Sequence, residues 1–140
     1  MDARDAERTR TRLLLGTLIF FAVWEGFRLV ERLFGASLDR TTRLWLVIGS
    51  LIGAVGWSYY LFRSTVLSRK IRSTPHLESA LNDEFVQLAR LKAFRAGYVA
   101  VMAVQIVPIA FPMPGIAAAQ LSILVGVTTS IAAFLILERG

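Results

Sequence analysis

The sequence predicts an all-α protein: an integral membrane four-helix bundle of two helical hairpins, with a cytoplasmic amphipathic helix leading into the third span. Three observations predict this fold class. Hydrophobic residues make up 55% of the 140 residues and charged residues only 19%, whereas a soluble domain carries about 25% charged residues. The mean hydropathy is +0.57. The apolar residues also form long uninterrupted blocks, which are typical of membrane spans.

The first span is predicted at residues 13–34 of a single membrane domain that covers residues 1–140. Its uncharged stretch, 13–24, has 12 residues and would be about 18 Å long as a helix. That is too short for a hydrocarbon core of about 30 Å, so the span has to carry Glu25, and with it Arg28, to membrane depth or close to it. The residues that follow this stretch lack a small-residue cleavage site, so we expect the span to be retained.

The second span is predicted at 44–63, because residues 44–62 are 19 consecutive uncharged residues, long enough for a membrane crossing. Three glycines, Gly49, Gly53 and Gly56, give this span a small-residue face that allows close helix packing. The packing neighbour is either another helix of the same chain or a second copy, and the pattern leaves both open.

The third and fourth spans are predicted at 95–111 and 116–137. Residues 96–137 form 42 uncharged residues, interrupted by Pro112-Met113-Pro114-Gly115, which predicts a tight turn in an antiparallel hairpin. Pro108 predicts a kink that frees a backbone carbonyl. Beside Gln105 and Gln120, that carbonyl is a candidate ion or substrate site; the alternative is a packed kink satisfied by a neighbouring group or water.

The connection 64–94 is predicted to contain the amphipathic helix. Its apolar residues recur at spacings of three and four, while polar residues lie opposite them. The apolar positions are Leu77, Leu81, Phe85, Leu88 and Leu91; the polar ones are Asp83, Gln87, Arg90 and Lys92. Because neither Gly nor Pro intervenes before Gly97, we expect this helix to continue into the third span.

Lysine and arginine counts predict the orientation. With both termini on the cytoplasmic side, twelve basic residues lie inside and four outside, as the positive-inside rule favours. We therefore expect a bacterial-type cytoplasmic (inner) membrane, with the lipid bilayer and its anionic head groups as partners. The basic residues flank spans and form no folded basic surface, so nucleic-acid binding is not expected.

Glu25 and Arg28 are the ionisable residues nearest to the middle of a span. Their spacing of three residues allows an ion pair on one helix face. Ionisable groups within a span suggest an ion path or a substrate site. The alternative is an amphipathic helix end, with both side chains at the head-group level.

Several classes of function lack their residues. The chain has no cysteine and only one histidine, His76, which does not suffice for a multi-ligand metal site. No phosphate loop, dinucleotide fingerprint or nucleophile elbow occurs. We therefore predict no cofactor, no metal and no enzymatic activity.

The predicted function is helix–helix contact, as a homo-oligomer or as an accessory subunit of a membrane complex. The alternative is a small cation- or proton-coupled transporter that uses Glu25.

The region around Asp83-Glu84, followed by Lys92-Ala93, resembles small bacterial four-helix inner-membrane proteins of unknown function. In these proteins a cytoplasmic Asp-Glu-Arg motif precedes Lys-Ala just before the third helix. Phe85 stands where the arginine is expected. The resemblance implies a fold and a cellular location and no activity.

Glu25 is similar to the essential glutamate in the first helix of the small multidrug exporters, which have a similar size and four helices. That resemblance implies cation-coupled export. Two features depart from it: the chain has a connection of roughly 30 residues with a strong basic bias, and Arg28 is available to neutralise Glu25.

Overall fold

Four long helices pack together in the computed structural model, which describes residues 3–75 and 84–138. Within these ranges the chain is helical and contains no strand, which confirms the all-α four-helix class. The helices with defined bounds are α1 (Ala3–Phe34), α2 (Arg40–Arg72), α3 (Glu84–Val104), the short α4 (Ile106–Ala110) and α5 (Gly115–Leu137).

The helices are longer than the predicted spans. Helix α1 begins at Ala3, ten residues before the predicted span, and α2 continues to Arg72. No Gly or Pro interrupts the sequence between Gly56 and Pro75, so nothing ends α2 at the membrane boundary. Four helices, counting α3 and α4 together, are long and apolar enough to cross a membrane. These helices indicate a membrane location.

Helices α1 and α2 form a hairpin that is packed by aromatic side chains against glycines. A Cβ atom added at Gly53 would lie 2.6 Å from the backbone nitrogen of Trp24. The same face of α2 places Gly49 against Phe27 and Gly56 against Phe20. The neighbour of the predicted glycine face in this structure is therefore α1 of the same chain.

The remaining contacts set the order of the helices as α2–α1–α5–α3. Helix α1 packs against both α2 and α5, and α5 packs against α3. Glycines also close the α3–α5 hairpin, where a Cβ atom added at Gly97 would lie 2.9 Å from the carbonyl oxygen of Gly126. Helices α2 and α3 are thus the two edges of the arrangement.

The two ends of the bundle differ in charge. At one end, called the basic end below, an ion pair joins Arg10 to Glu138, and the connection from α2 begins. At the other, the loop end, lie the two hairpin turns, residues 35–39 and 111–114. There Asp39 caps α2 by accepting hydrogen bonds of 3.1 Å from the backbone N–H groups of Thr41 and Thr42.

Part of the predicted amphipathic helix lies outside the described residues, including His76, Leu77, Leu81 and Asp83. Its later part is α3, which runs without a break from Glu84 through Arg95 into the apolar block. Ala89 and Ala93 face the bundle, while Phe85, Leu88 and Leu91 are exposed. The apolar stripe that the spacing predicts is therefore on the outer surface, and the small residues between its members make the helix contacts.

Candidate functional site: a polar layer within the bundle

Four polar side chains lie at one level of the bundle and are called the polar layer. They are Glu25 on α1, Gln105 at the junction of α3 and α4, and Gln120 and Ser122 on α5. Two hydrogen bonds connect them in pairs: Glu25 with Gln120, and Gln105 with Ser122. Because Gln120 and Ser122 are two residues apart on one helix, the two pairs lie within about 3 Å of each other along the helix axis.

The packing of α1 against α2 gives the depth of this layer. Trp24 lies against Gly53, and Gly53 is the tenth of the 19 uncharged residues at 44–62. Glu25 is the next residue after Trp24, so it lies level with the middle of that stretch. Its partner Gln120 is the sixth residue of α5, about 8 Å from the start of that helix at the loop end. The level therefore lies inside the uncharged blocks of both helices, at the middle of the block on α2 and nearer to the loop end on α5, which favours the buried interpretation of Glu25.

The inner pair joins the two hairpins. Gln120 donates from Nε2 to Oε2 of Glu25 over 2.9 Å, and each residue is only 8% exposed. The two residues are 95 positions apart in the sequence. Within the described residues, Oε1 of Gln120 is buried and has no hydrogen-bond partner. The pair is therefore a closed contact between α1 and α5 with one unsatisfied acceptor beside the carboxyl group.

The outer pair lies at a break in the third span. Helix α3 ends at Val104, and α4 begins at Ile106, so Gln105 alone lies between them. Pro108 has no N–H group, so the Val104 carbonyl lacks its partner in a continuous helix. The Gln105 side chain donates from Nε2 to the hydroxyl of Ser122 over 2.7 Å, and that hydroxyl donates to the Ala118 carbonyl over 2.9 Å. Unlike the inner pair, Gln105 is exposed on the outside of the bundle.

Arg28 does not belong to the polar layer. Its guanidinium lies over the Trp24 ring, with Cζ 6.0 Å from the ring centroid. The structure shows no ion pair between Glu25 and Arg28, because Glu25 faces α5 and bonds to Gln120. The two predicted amides do not meet each other either, since each bonds to another residue.

The predicted cytoplasmic motif forms no site among the described residues. Glu84 and Lys92 are both exposed on α3, eight residues apart. Asp83 lies outside the described residues. Over residues 3–75 and 84–138, no group of three His, Cys, Asp or Glu side chains is placed to hold a metal ion.

Sequence reasoning missed Ser122 and the ion pair between Arg10 and Glu138. Ser122 had a usable signal: it and Gln105 are equally distant from the Met113-Pro114 turn, and residues equally distant from a tight turn face each other in a helical hairpin. The ion pair had no comparable signal, because nothing in the sequence states that α1 lies beside α5.

No protein-family model, no curated protein and no solved structure matches this chain. The resemblances to small bacterial inner-membrane proteins and to small multidrug exporters therefore stay predictions.

Proposed function

We propose that this chain is a non-catalytic membrane protein that acts through helix–helix contact with another membrane-embedded chain. The observation that carries the proposal is the exposed break in the third span at Gln105. The contact surface is the outer face of α3 and α4 around this residue. The other chain is either a second copy or a subunit of a larger membrane complex.

Polar groups in hydrocarbon need hydrogen-bond partners that lipid tails do not supply. Irregular backbone at membrane depth is tolerated where protein or a water-filled cavity covers it, and not where it faces lipid. At this break Gln105 is exposed, and within the described residues its Oε1 atom has no hydrogen-bond partner. A polar side chain of a neighbouring helix would satisfy that oxygen and the Val104 carbonyl, and such bonds contribute about 0.6–1.7 kcal/mol in membranes.

The position of α3 supports the same proposal. Helix α3 is an edge of the α2–α1–α5–α3 order, so its outer face is open to a neighbour. Around the break this face carries Met102, Ile106 and Ile109, which are all more than half exposed. A neighbouring helix would therefore meet an apolar surface with one polar group at its centre.

The Lys and Arg bias supports an orientation in which the basic end faces the cytoplasm of a bacterial-type inner membrane. Labelled reporter fusions at each terminus test this part of the proposal. Both fusions should be inaccessible from outside the cell, and accessibility of either terminus would reverse the orientation.

Gln105→Leu tests the contact. It should weaken association by about threefold or more, measured by energy transfer between labelled copies in liposomes and by the chains that co-purify from the native membrane. Energy transfer between labelled copies would identify a homo-oligomer. A foreign chain that co-purifies in stoichiometric amount would identify an accessory role. Ser58→Leu is the matched control, because Ser58 is exposed on the opposite edge helix, α2. If Gln105→Leu changes neither readout, the proposed contact is wrong.

A second candidate function, cation- or proton-coupled transport, is favoured by one observation. Glu25 is buried in the bundle beside the unsatisfied Oε1 of Gln120, as a carboxyl group that exchanges a proton or cation would be. Proton flux into proteoliposomes loaded with a pH-sensitive dye is the test. Transport predicts flux that Glu25→Gln abolishes, whereas flux unaffected by Glu25→Gln would reject this candidate.

A further inference from the structure

One outer face of α3, called the seam, carries side chains at alternating spacings of three and four residues. Its members are Leu88, Leu91, Arg95, Tyr98, Met102 and Gln105, and all of them are exposed. The average spacing of about 3.5 residues is that of the contact face in a coiled coil. Ala93 and Gly97, which lie between members of the seam in the sequence, are buried. The seam is therefore directed away from the bundle.

Lipid tails would not reach the first part of the seam in a bilayer. Leu88 and Leu91 are 47% and 66% exposed, and both precede Arg95 and the uncharged block of residues 96–137. Because α3 is unbroken here, Leu91 lies about 8 Å and Leu88 about 12 Å before the start of that block. This is the level of head groups and water, where a contiguous apolar stripe marks an interaction surface.

The spacing of the seam indicates the kind of partner. Two helices that wind around each other make contact through residues with this period, so the partner helix has to carry the same period. Copies of one chain enter a membrane in one orientation, which their basic residues set. Each seam residue of one copy therefore lies level with the same residue of the other, and a second copy matches the seam along its whole length.

The side chain of Gln105 is complementary to itself. It donates one N–H to the hydroxyl of Ser122, and that hydroxyl donates to the Ala118 carbonyl, which fixes the orientation of the amide. Among the described residues, the second N–H and Oε1 of Gln105 have no partner. Two such amides facing each other can exchange two hydrogen bonds. A single uncharged polar residue in an apolar seam also fixes the register of the two helices.

The size of the seam agrees with a dimer. Its six side chains extend along about 26 Å of helix. At about 100 Å² for each, half of what a large side chain buries, two copies would cover roughly 1,200 Å², more than the roughly 1,000 Å² that a specific interface needs. Arg95 is the charged member of the seam. It directly precedes the uncharged block, where a long side chain reaches the head groups.

We propose that the seam is the interface of a parallel dimer, in which α3 of one copy winds around α3 of a second copy. The Gln105 side chains of the two copies bond to each other, and the leucines at positions 88 and 91 cover each other outside the hydrocarbon. This inference rests on the proposed contact at Gln105 and names the chain on the other side of that contact.

Disulfide cross-linking in liposomes tests the dimer. The chain has no cysteine, so a single introduced cysteine forms a disulfide only with a second copy, and only where the two Cα atoms lie within about 7 Å. With a membrane-permeant oxidant, Leu88→Cys, Leu91→Cys and Met102→Cys should each give a product of twice the chain mass. Ala103→Cys and Val66→Cys are the controls and should give none. Ala103 is exposed at the depth of Met102 but lies off the seam, and Val66 is exposed on α2.

The pattern of cross-links separates the dimer from the contact on which it rests. Cross-linking at the three seam positions and at neither control supports the dimer. Failure at any seam position, or equal yields at seam and control positions, overturns it, because a parallel seam brings every pair of identical residues together. If the seam fails while Gln105→Leu still removes a co-purifying foreign chain, the dimer is wrong and the contact at Gln105 stands. Circular dichroism checks that each variant is folded.

Discussion

The inner and outer pairs of the polar layer lie at one depth, use similar side chains and differ in what surrounds them. Glu25 and Gln120 are buried between α1 and α5, while Gln105 is exposed beside Ser122. Polar groups at membrane depth are costly in either case. The inner pair meets that cost with a contact inside the chain and joins the two hairpins, whereas Gln105 of the outer pair stays exposed.

The contact of α1 with α2 differs in kind from its contact with α5. Helices α1 and α2 meet through glycines and aromatic rings from Gly16 to Phe27 of α1, including Trp24 and Trp57 with ring centroids 5.1 Å apart. Between helices in a membrane such contacts gain from close fit and not from leaving water. Helices α1 and α5, by contrast, are joined by polar pairs, which specify one partner and one register.

The largest expected effect comes from breaking the contact between Gly53 of α2 and Trp24 of α1, the residue before Glu25. Gly53→Leu would push a side chain into the Trp24 backbone, whose Cα atom lies 2.8 Å from the Cβ position. We expect a loss of about 3 kcal/mol in the free energy of unfolding, at the upper end for overpacking. Detergent-induced unfolding followed by circular dichroism measures it.

Gly26→Leu is the control for this substitution. A Cβ atom at Gly26 meets nothing within 4 Å, so the same change should leave stability nearly unaltered. Equal losses for the two variants would show that α1 and α2 are not packed in this register.

The next effect distinguishes the inner pair from the outer pair. Gln120→Leu removes the hydrogen-bond donor to Glu25 and leaves a buried carboxyl group without it, which costs about 1–3 kcal/mol. Gln105→Leu replaces an exposed amide and removes its hydrogen bond to Ser122, so it should cost the isolated chain less, about 0.6 kcal/mol, the average for such a bond between helices in a membrane. The same unfolding titration measures both variants. A larger loss of stability for Gln105→Leu than for Gln120→Leu would contradict the assignment of Gln120 to the inner pair and Gln105 to the outer pair.

The smallest effect lies at the loop end, outside the membrane-spanning segments. Hydrogen bonds from Thr42 hold the pKa of Asp39 below its ordinary value of 3.8. Since the folded-state pKa is the lower one, the ionised cap stabilises α2 above pH 3.8, and this contribution is lost as pH falls through the folded-state pKa. Asp39→Asn should remove that pH dependence, measured as helix stability between neutral and acidic pH. A variant that keeps the wild-type acid profile would assign the dependence to another group.

How much the sequence alone could predict differs between the elements. The four long helices follow from the uncharged blocks and the proline turn, and the small-residue face of α2 follows from its glycine spacing. The bounds of α1 and α2 do not follow from the sequence, because basic residues mark the membrane boundary and are also good helix formers. Helices therefore continue past that boundary until a Gly, a Pro or a turn ends them.

The polar layer shows the same division. That Glu25 reaches membrane depth follows from the 12 uncharged residues before it. The identity of its partner does not follow from the sequence, because Arg28 is nearer in the sequence. Gln120 becomes the neighbour of Glu25 only when the two hairpins pack. Ser122 opposite Gln105 was within reach of sequence reasoning, since both are set by a single turn. Contacts within a hairpin are thus accessible to sequence reasoning, and contacts between hairpins are not.

A double-mutant cycle between Glu25→Leu and Gln120→Leu tests the central claim most directly, namely that this pair joins the two hairpins inside the bundle. The measured quantity is the coupling free energy from detergent-induced unfolding of the two single variants and the double variant. We predict a favourable coupling of about 0.6–1.7 kcal/mol, the range of interhelical hydrogen bonds in membranes. The control cycle pairs Glu25→Leu with Gln105→Leu, residues of the same layer that do not bond to each other, and should give no coupling. No coupling between Glu25 and Gln120, or equal coupling in the two cycles, would contradict the account.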